Sequence, residues 1–246
     1  MSSTSTVVVI LSFFFFFKFF FDTIFFPSFL LSPLLRPPFS TQHMLPYCDD
    51  IMQAFVEILR NPDVDKSIKP TVFTSFGSIA LSIGPAFEKY LPIVMTLMRE
   101  AATVQLPENT DEETFEYMTE LRSEIMSSYA CILNGMHDNQ RSDQLRPYVQ
   151  GIFEVIQMIA NLEEDEEVMN HTVGLIGDLA EVFGLQIAAL IIQYNQGIEK
   201  CLNGADDEDV QIFCRQKMTL ATQGGGGGGG VGGGGVGGGG TGGGGF

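Results

Sequence analysis

Two nine-residue segments 100 positions apart share one spacing of small and apolar residues: FGSIALSIG at 76–84 and IGDLAEVFG at 176–184. Gly77, Ala80 and Gly84 in the first correspond to Gly177, Ala180 and Gly184 in the second, with Ile79 and Ile83 replaced by Leu179 and Phe183. A looser copy, YACILNGM, lies between them and puts Ala130 and Ile132 where Gly77 and Ile79 stand. Recurrence of this kind marks a supersecondary unit that is stacked rather than a domain that occurs once. Small residues at the middle of the unit let a neighbouring helix approach, and the apolar residues behind them fill the core.

The surrounding periodicity identifies the unit. Between residues 45 and 223 apolar side chains recur at helical spacing, and Pro and Gly fall mainly between the periodic runs. Three helix pairs are predicted: 68–83 with 87–101, 114–136 with 145–161, and 167–183 with 185–202. In the first pair the turn is GPA, where Gly84 suits a helix C-terminus and Pro85 cannot extend it. Leu91, Val94, Met95 and Met98 form one apolar stripe, and Tyr148, Ile152, Val155, Ile156 and Ile159 another; both read as packing faces. Repeated helix hairpins of this size predict an all-α fold, an α-solenoid with partial repeats at both ends.

The two ends cannot contribute to such a core. Residues 1–44 hold 12 of the 21 phenylalanines, in runs such as FFFFF and FFF, and residues 224–246 are nearly pure glycine. Three regions follow: a Phe-rich low-complexity segment 1–44, a helical array 45–223, and a Gly-rich tail 224–246 expected to lack fixed structure. Homopolymeric Phe and Gly are also what T-rich and G-rich DNA encodes, so both tracts read as translated non-coding sequence. Taken as genuine protein, Val7–Leu35 is a candidate membrane segment, flawed by Lys18 and Asp22.

Charge narrows the partners. The chain has a formal net charge of −17, and residues 1–44 contain only Lys18, Arg36 and Asp22 among its charged side chains, so the acidity belongs to the array. An acidic body excludes phosphate-backbone binding and hence nucleic acid, and it favours basic partners. His43, His137 and His171 are far apart, the four cysteines form no C-x-x-C pair, and no nucleotide-binding or nucleophile motif is present. The expectation is a binding protein rather than an enzyme, with no cofactor or metal. Cys48, Cys131, Cys201 and Cys214 suit a reducing compartment.

LPYCDDIMQAFVEILRNPDVDKSIKP, FGSIALSIGPAFEKYLP, ELRSEIMSSYACILNGM and GLIGDLAEVFG, in this order, resemble the C-terminal HEAT repeats of the importin-β (karyopherin-β) family of nuclear import receptors. The resemblance covers roughly residues 45–222. It implies HEAT-type hairpins and a C-terminal piece of a receptor that moves between cytoplasm and nucleus through the nuclear pore. It also implies a partner: the basic importin-β-binding helix of the adaptor importin-α, or basic cargo signals, held on the second helices. The family's Ran GTPase and nucleoporin sites lie mainly upstream of this region.

The carboxylates opposite the packing stripes of the second helices are the candidate contacts: Asp50, Glu57, Glu100, Glu154 and Glu199. Asp50 and Glu57 are two turns apart and share a face. A second cluster, Glu163, Glu164, Asp165, Glu166 and Glu167, reads as a solvated loop that also favours the start of the next helix. At the N-terminal edge Ile51, Phe55 and Leu59 are expected to stay partly uncovered or to pack on the Phe-rich tract. Two alternatives remain: a HEAT scaffold of another assembly, and a membrane-anchored protein using the Phe-rich segment.

Overall fold

The structure is a computed structural model that describes residues 41–137 and 141–223. The expectations for the Phe-rich segment before residue 41, the membrane reading of Val7–Leu35 included, and for the Gly-rich tail lie outside these residues. Residues from 45 onward form a unit of their own.

The elements are α1 (Thr41–Arg60), α2 (Ile68–Ile83), α3 (Leu91–Ala102), α4 (Glu112–His137), α5 (Arg146–Leu162), α6 (Glu166–Phe183), α7 (Ala188–Gln193), α8 (Asn195–Gly204) and α9 (Glu208–Gln223). Among the described residues there is no strand. The helices stack in two layers. Of the first helices, α4 packs on α2, α6 on α4 and α9 on α6; of the second helices, α5 packs on α3 and α8 on α5 beneath them.

One device starts three of the four first helices, α4, α6 and α9. Asp111 accepts hydrogen bonds from Thr114 N and Oγ1, each at 2.9 Å, at the start of α4. Asp165 accepts from Glu167 N and Val168 N at 3.0 and 3.1 Å before α6, and Asp207 does so from Asp209 N and Val210 N at 3.0 and 3.1 Å before α9. Each aspartate satisfies amides that the first helical turn leaves unpaired, and its charge is favourable at that end of the helix dipole. The acidic runs at 163–167 and 206–209 are thus helix-start signals first.

The recurring nine-residue segment separates into two jobs. Gly77 lies where α2 crosses α4: a Cβ there would sit 2.8 Å from Cys131 Cβ and 3.2 Å from Ser128 Cα. Gly177 is its counterpart where α6 meets α9, with a built Cβ 2.5 Å from the Phe213 ring. Gly84 and Gly184 instead end their helices, at φ of 53° and 50°, and their amides bond back to Ala80 O and Ala180 O. Positive φ there costs glycine little and any residue with a Cβ more.

After each of these stops the chain makes a 3-10 turn before the second helix: Gly84–Tyr90, Gly184–Ile187, and Ser142–Leu145 in the middle pair. The sequence pattern predicts continuous helices over 87–101 and 185–202, and the structure departs from both. Pro92, like Pro147 in α5, stands in the first turn of its helix, where its missing N–H is harmless. The last second helix is broken at Tyr194, between α7 and α8, where the Tyr194 ring stacks on Phe153 of α5 at 5.7 Å.

The core is made as the periodicity predicts. Ile79, Ile83, Leu91, Val94, Met95 and Met98 are buried, as are Ile152, Val155, Ile156, Ile159, Leu179 and Phe183. Tyr148 is only half-buried and Val149 takes the inward place beside it. Glu166–Gln193 is long and apolar enough to cross a bilayer by composition, but Val168, Leu175, Ile176 and Leu179 within it are spent on the seams with α4 and α9. At the N-terminal edge Phe55 is buried, with its ring edge-on to Phe76 at 5.8 Å, while Ile51 and Leu59 are half-buried. No disulfide joins the four cysteines; Cys48, Cys201 and Cys214 are buried, and burial pushes the Cys131 thiol up to about 11.

Candidate partner-binding surface

A second helix of this array buries one stripe and leaves the opposite one to solvent, so its carboxylates are sorted by position. On α1, Cys48, Met52 and Phe55 point inward while Asp50 and Glu57 are exposed. Glu57 accepts a hydrogen bond from Gln53 Nε2 at 3.0 Å. Glu100 is exposed at the end of α3. None of these three forms an ion pair with a described residue, so their charges stand open to a partner.

Glu154 and Glu199 are different. Glu154 of α5 is half-buried and forms an ion pair with Arg99 of α3, and Gln150 Nε2 donates to its other oxygen at 3.4 Å. Glu199 of α8 faces Arg215 of α9 at 3.5 Å. Both pairs join consecutive repeats, so these two carboxylates already have a cation. The neighbour Asp49, which the periodicity did not single out, accepts from Lys89 Nζ at 2.6 Å and Tyr90 Oη at 2.7 Å. Those hydrogen bonds hold its carboxyl below the usual range, and burial together with Asp49 pushes Tyr90 up to about 12. The cluster ties α1 to the turn before α3.

The acidic run at 163–167 requires a correction. Glu163 does not belong to a solvated loop: it is 1% exposed and paired with Arg122 of α4, itself 2% exposed, at 3.1 Å. Arg122 Nη2 also donates to Val104 O at 2.8 Å, and its Nε has no partner. Two charges taken out of water must satisfy each other, which removes Glu163 from any partner-facing set. Arg122 carried a signal, since it occupies a core position in the stripe Met118, Arg122, Ile125, Tyr129, Ile132. Asp165 serves as the α6 cap, and Glu164, Glu166 and Glu167 are exposed.

On the first-helix side, α4 and α6 enclose a cleft of about 290 Å³. Glu116, Glu120 and Glu124 line it from α4, Asp165 and Glu167 from the start of α6, with Phe115 exposed at its edge. Glu124 accepts from Thr74 Oγ1 at 2.6 Å. Deeper along α6, Asp178 accepts from Asn134 Nδ2 at 3.2 Å, and desolvation pushes its carboxyl up to about 6.

Comparison with known proteins gives this geometry a context. A family model described as importin subunit beta-1-like, TPR repeats, matches residues 41–203. Importin subunit beta-1 of Schizosaccharomyces pombe is 38% identical over 141 residues, 57% of this chain and 16% of that protein. The Arabidopsis thaliana protein of that name is 32% identical over 168 residues, 66% of this chain and 19% of its own. Among solved structures, an importin beta crystallised from ammonium sulfate superposes with a TM-score of 0.66 at 28% identity, covering 74% of this chain and 22% of that one. Yeast importin-beta, Kap95p, superposes at 0.62, and related structures hold it with RanGDP and with Nup1. The chain spans less than a fifth of the length of these curated relatives. Its matched residues cover most of the described helices, and on that match the chain belongs to the importin subunit beta-1-like family.

Proposed function

We propose that this chain is a fragment of a nuclear transport receptor, an acidic HEAT-repeat scaffold that holds a basic helix against its second helices. The partner class is the importin-α adaptor's basic helix or a basic cargo signal, met in the cytoplasm and nucleus. The observation that carries this reading is that Asp50, Glu57 and Glu100 remain exposed and without a cation on the second helices of an importin-β-like array. Glu154 and Glu199 contribute more weakly, because a partner's Lys or Arg must compete there with Arg99 and Arg215. Ran and Nup1 accompany solved relatives about five times longer than the matched piece, so the helix-binding role alone is assigned to this chain.

The mechanism is steering by net negative charge followed by charge pairing at the rim, so affinity falls as salt is raised. The test is titration of a fluorescent basic amphipathic helix into the full chain at low and at physiological salt. Binding should weaken with salt, and Asp50→Asn with Glu57→Gln and Glu100→Gln should weaken it further. Neutralising Glu116 and Glu120 in the first-helix cleft is the comparison, expected to change it less. Absent binding at low salt, or binding indifferent to salt, would overturn the proposal.

A further inference from the structure

Helix α5 packs on α3 on one side and on α8 on the other, and its carboxylate Glu154 is already held by a cation of the chain. Arg99 reaches across from α3 and its guanidinium pairs with Glu154. The surface of α5 leaves room for that group. Gly151, one turn before Glu154, has no side chain, and a Cβ built there would meet Arg99 Nη1 at 3.6 Å and no other neighbour within 4 Å. Gln150 Nε2 donates to the second oxygen of Glu154 at 3.4 Å, so both oxygens are taken by groups of this chain. The pair is nevertheless open to solvent: the Arg99 side chain is 55% exposed and that of Glu154 35%. An ion pair this exposed holds only weakly, so a cation from outside can compete for the carboxylate. The sealed Arg122–Glu163 pair offers no such access.

We infer that Arg99 is an internal competitor for the basic partner: in the free chain its guanidinium occupies the place on α5 that an arginine or lysine of the bound helix takes, and binding displaces it. The inference rests on the helix-binding role proposed above and adds to it a residue that lowers affinity. One chemistry serves both states, a cation on a second-helix carboxylate, so the free chain holds the contact that the complex needs. Arg99 is long and already half in water, and its release exposes little new surface. The displacement does break a link between consecutive second helices, because Arg99 belongs to α3 and Glu154 to α5. A partner that pairs with the exposed Glu100 of α3 and with Glu154 spans the same two helices, and so replaces the link that it opens.

Titration of a fluorescent basic amphipathic helix into the full chain at low salt tests this. Arg99→Gln should bind the helix about two- to fivefold more tightly than the wild type, with helical circular dichroism unchanged. Lys66→Gln removes the same charge and also opens an ion pair, with Glu113 at 3.0 Å, but on the first-helix side; it should change affinity less. Arg99→Gln combined with Glu154→Gln should return affinity to the wild-type level or below, because the gain needs the freed carboxylate. If the wild type binds and Arg99→Gln binds no more tightly than Lys66→Gln, the inference is overturned while the helix-binding role stands. A gain that persists without Glu154 would overturn it as well, since net charge alone would then account for the effect. Absence of binding by the wild type and Arg99→Gln alike would overturn both.

Discussion

At the scale of single residues, the array depends on where a Cβ is absent and where a charge is hidden. Gly77 and Gly174 are both helical glycines, yet only Gly77 meets a neighbour at close range; a Cβ on Gly174 would come no nearer than 3.9 Å, to Val210 Cγ1. Gly77→Ala should therefore cost about 1–3 kcal/mol by pushing α4 away. Gly174→Ala should gain about 0.5–1 kcal/mol from helix propensity. Thermal melts of the two variants check the pair, and equal effects would contradict the seam. Asp178 sets a second test. Its native carboxyl titrates near 6 because desolvation outweighs the Asn134 hydrogen bond and Lys217, with Glu181 adding to the rise. The native state holds a proton that the unfolded chain releases near its ordinary value, so this group's contribution to stability falls as pH rises from about 4 to about 6. Asp178→Asn should accordingly stabilise the protein by up to about 3 kcal/mol at pH 7.5, and the gain should vanish below about pH 4. A gain independent of pH would count against a buried carboxylate.

At the scale of elements, the Arg122–Glu163 pair joins α4, the end of α5 and, through Val104 O, the chain leaving α3. Removing one partner leaves a buried charge uncompensated. Arg122→Met or Glu163→Leu alone should cost about 3–5 kcal/mol, whereas the double variant should recover most of that loss, since an apolar pair needs no desolvation. Additive losses in denaturant melts would show that the two side chains are not coupled. The same reasoning separates the acidic runs. Asp165→Ala should cost about 1 kcal/mol through the lost cap of α6, while Glu164→Gln, exposed and outside the cap, should be nearly silent. The turns between helices are likewise explained element by element: a positive-φ glycine stops α2 and α6, and a 3-10 turn lays the second helix beneath.

At the scale of the whole molecule, stability is a sum over neighbouring repeats. Among the described residues α4 and α6 each lie between two first helices, while α9 packs on one first helix, α6. Hydrogen exchange should be slowest in α4 and α6 and should begin in α9, and uniform protection along the array would contradict a chain of local interfaces. Much of this was legible beforehand. The α2 limits, the apolar stripes and the glycines that end α2 and α6 depend on contacts within a few turns, which periodicity reports directly. The sequence by itself determined a stacked set of helix hairpins, an acidic surface and a resemblance specific enough to place the family. It could not tell that Glu163 is buried, because its partner Arg122 is 41 residues away on another helix. Nor could it tell that Glu154 and Glu199 are engaged while Asp50, Glu57 and Glu100 are open: Arg99 and Arg215 belong to neighbouring repeats. Whether a carboxylate meets water or a cation is decided by how successive hairpins are rotated against each other, and that rotation is a property of the packed array alone.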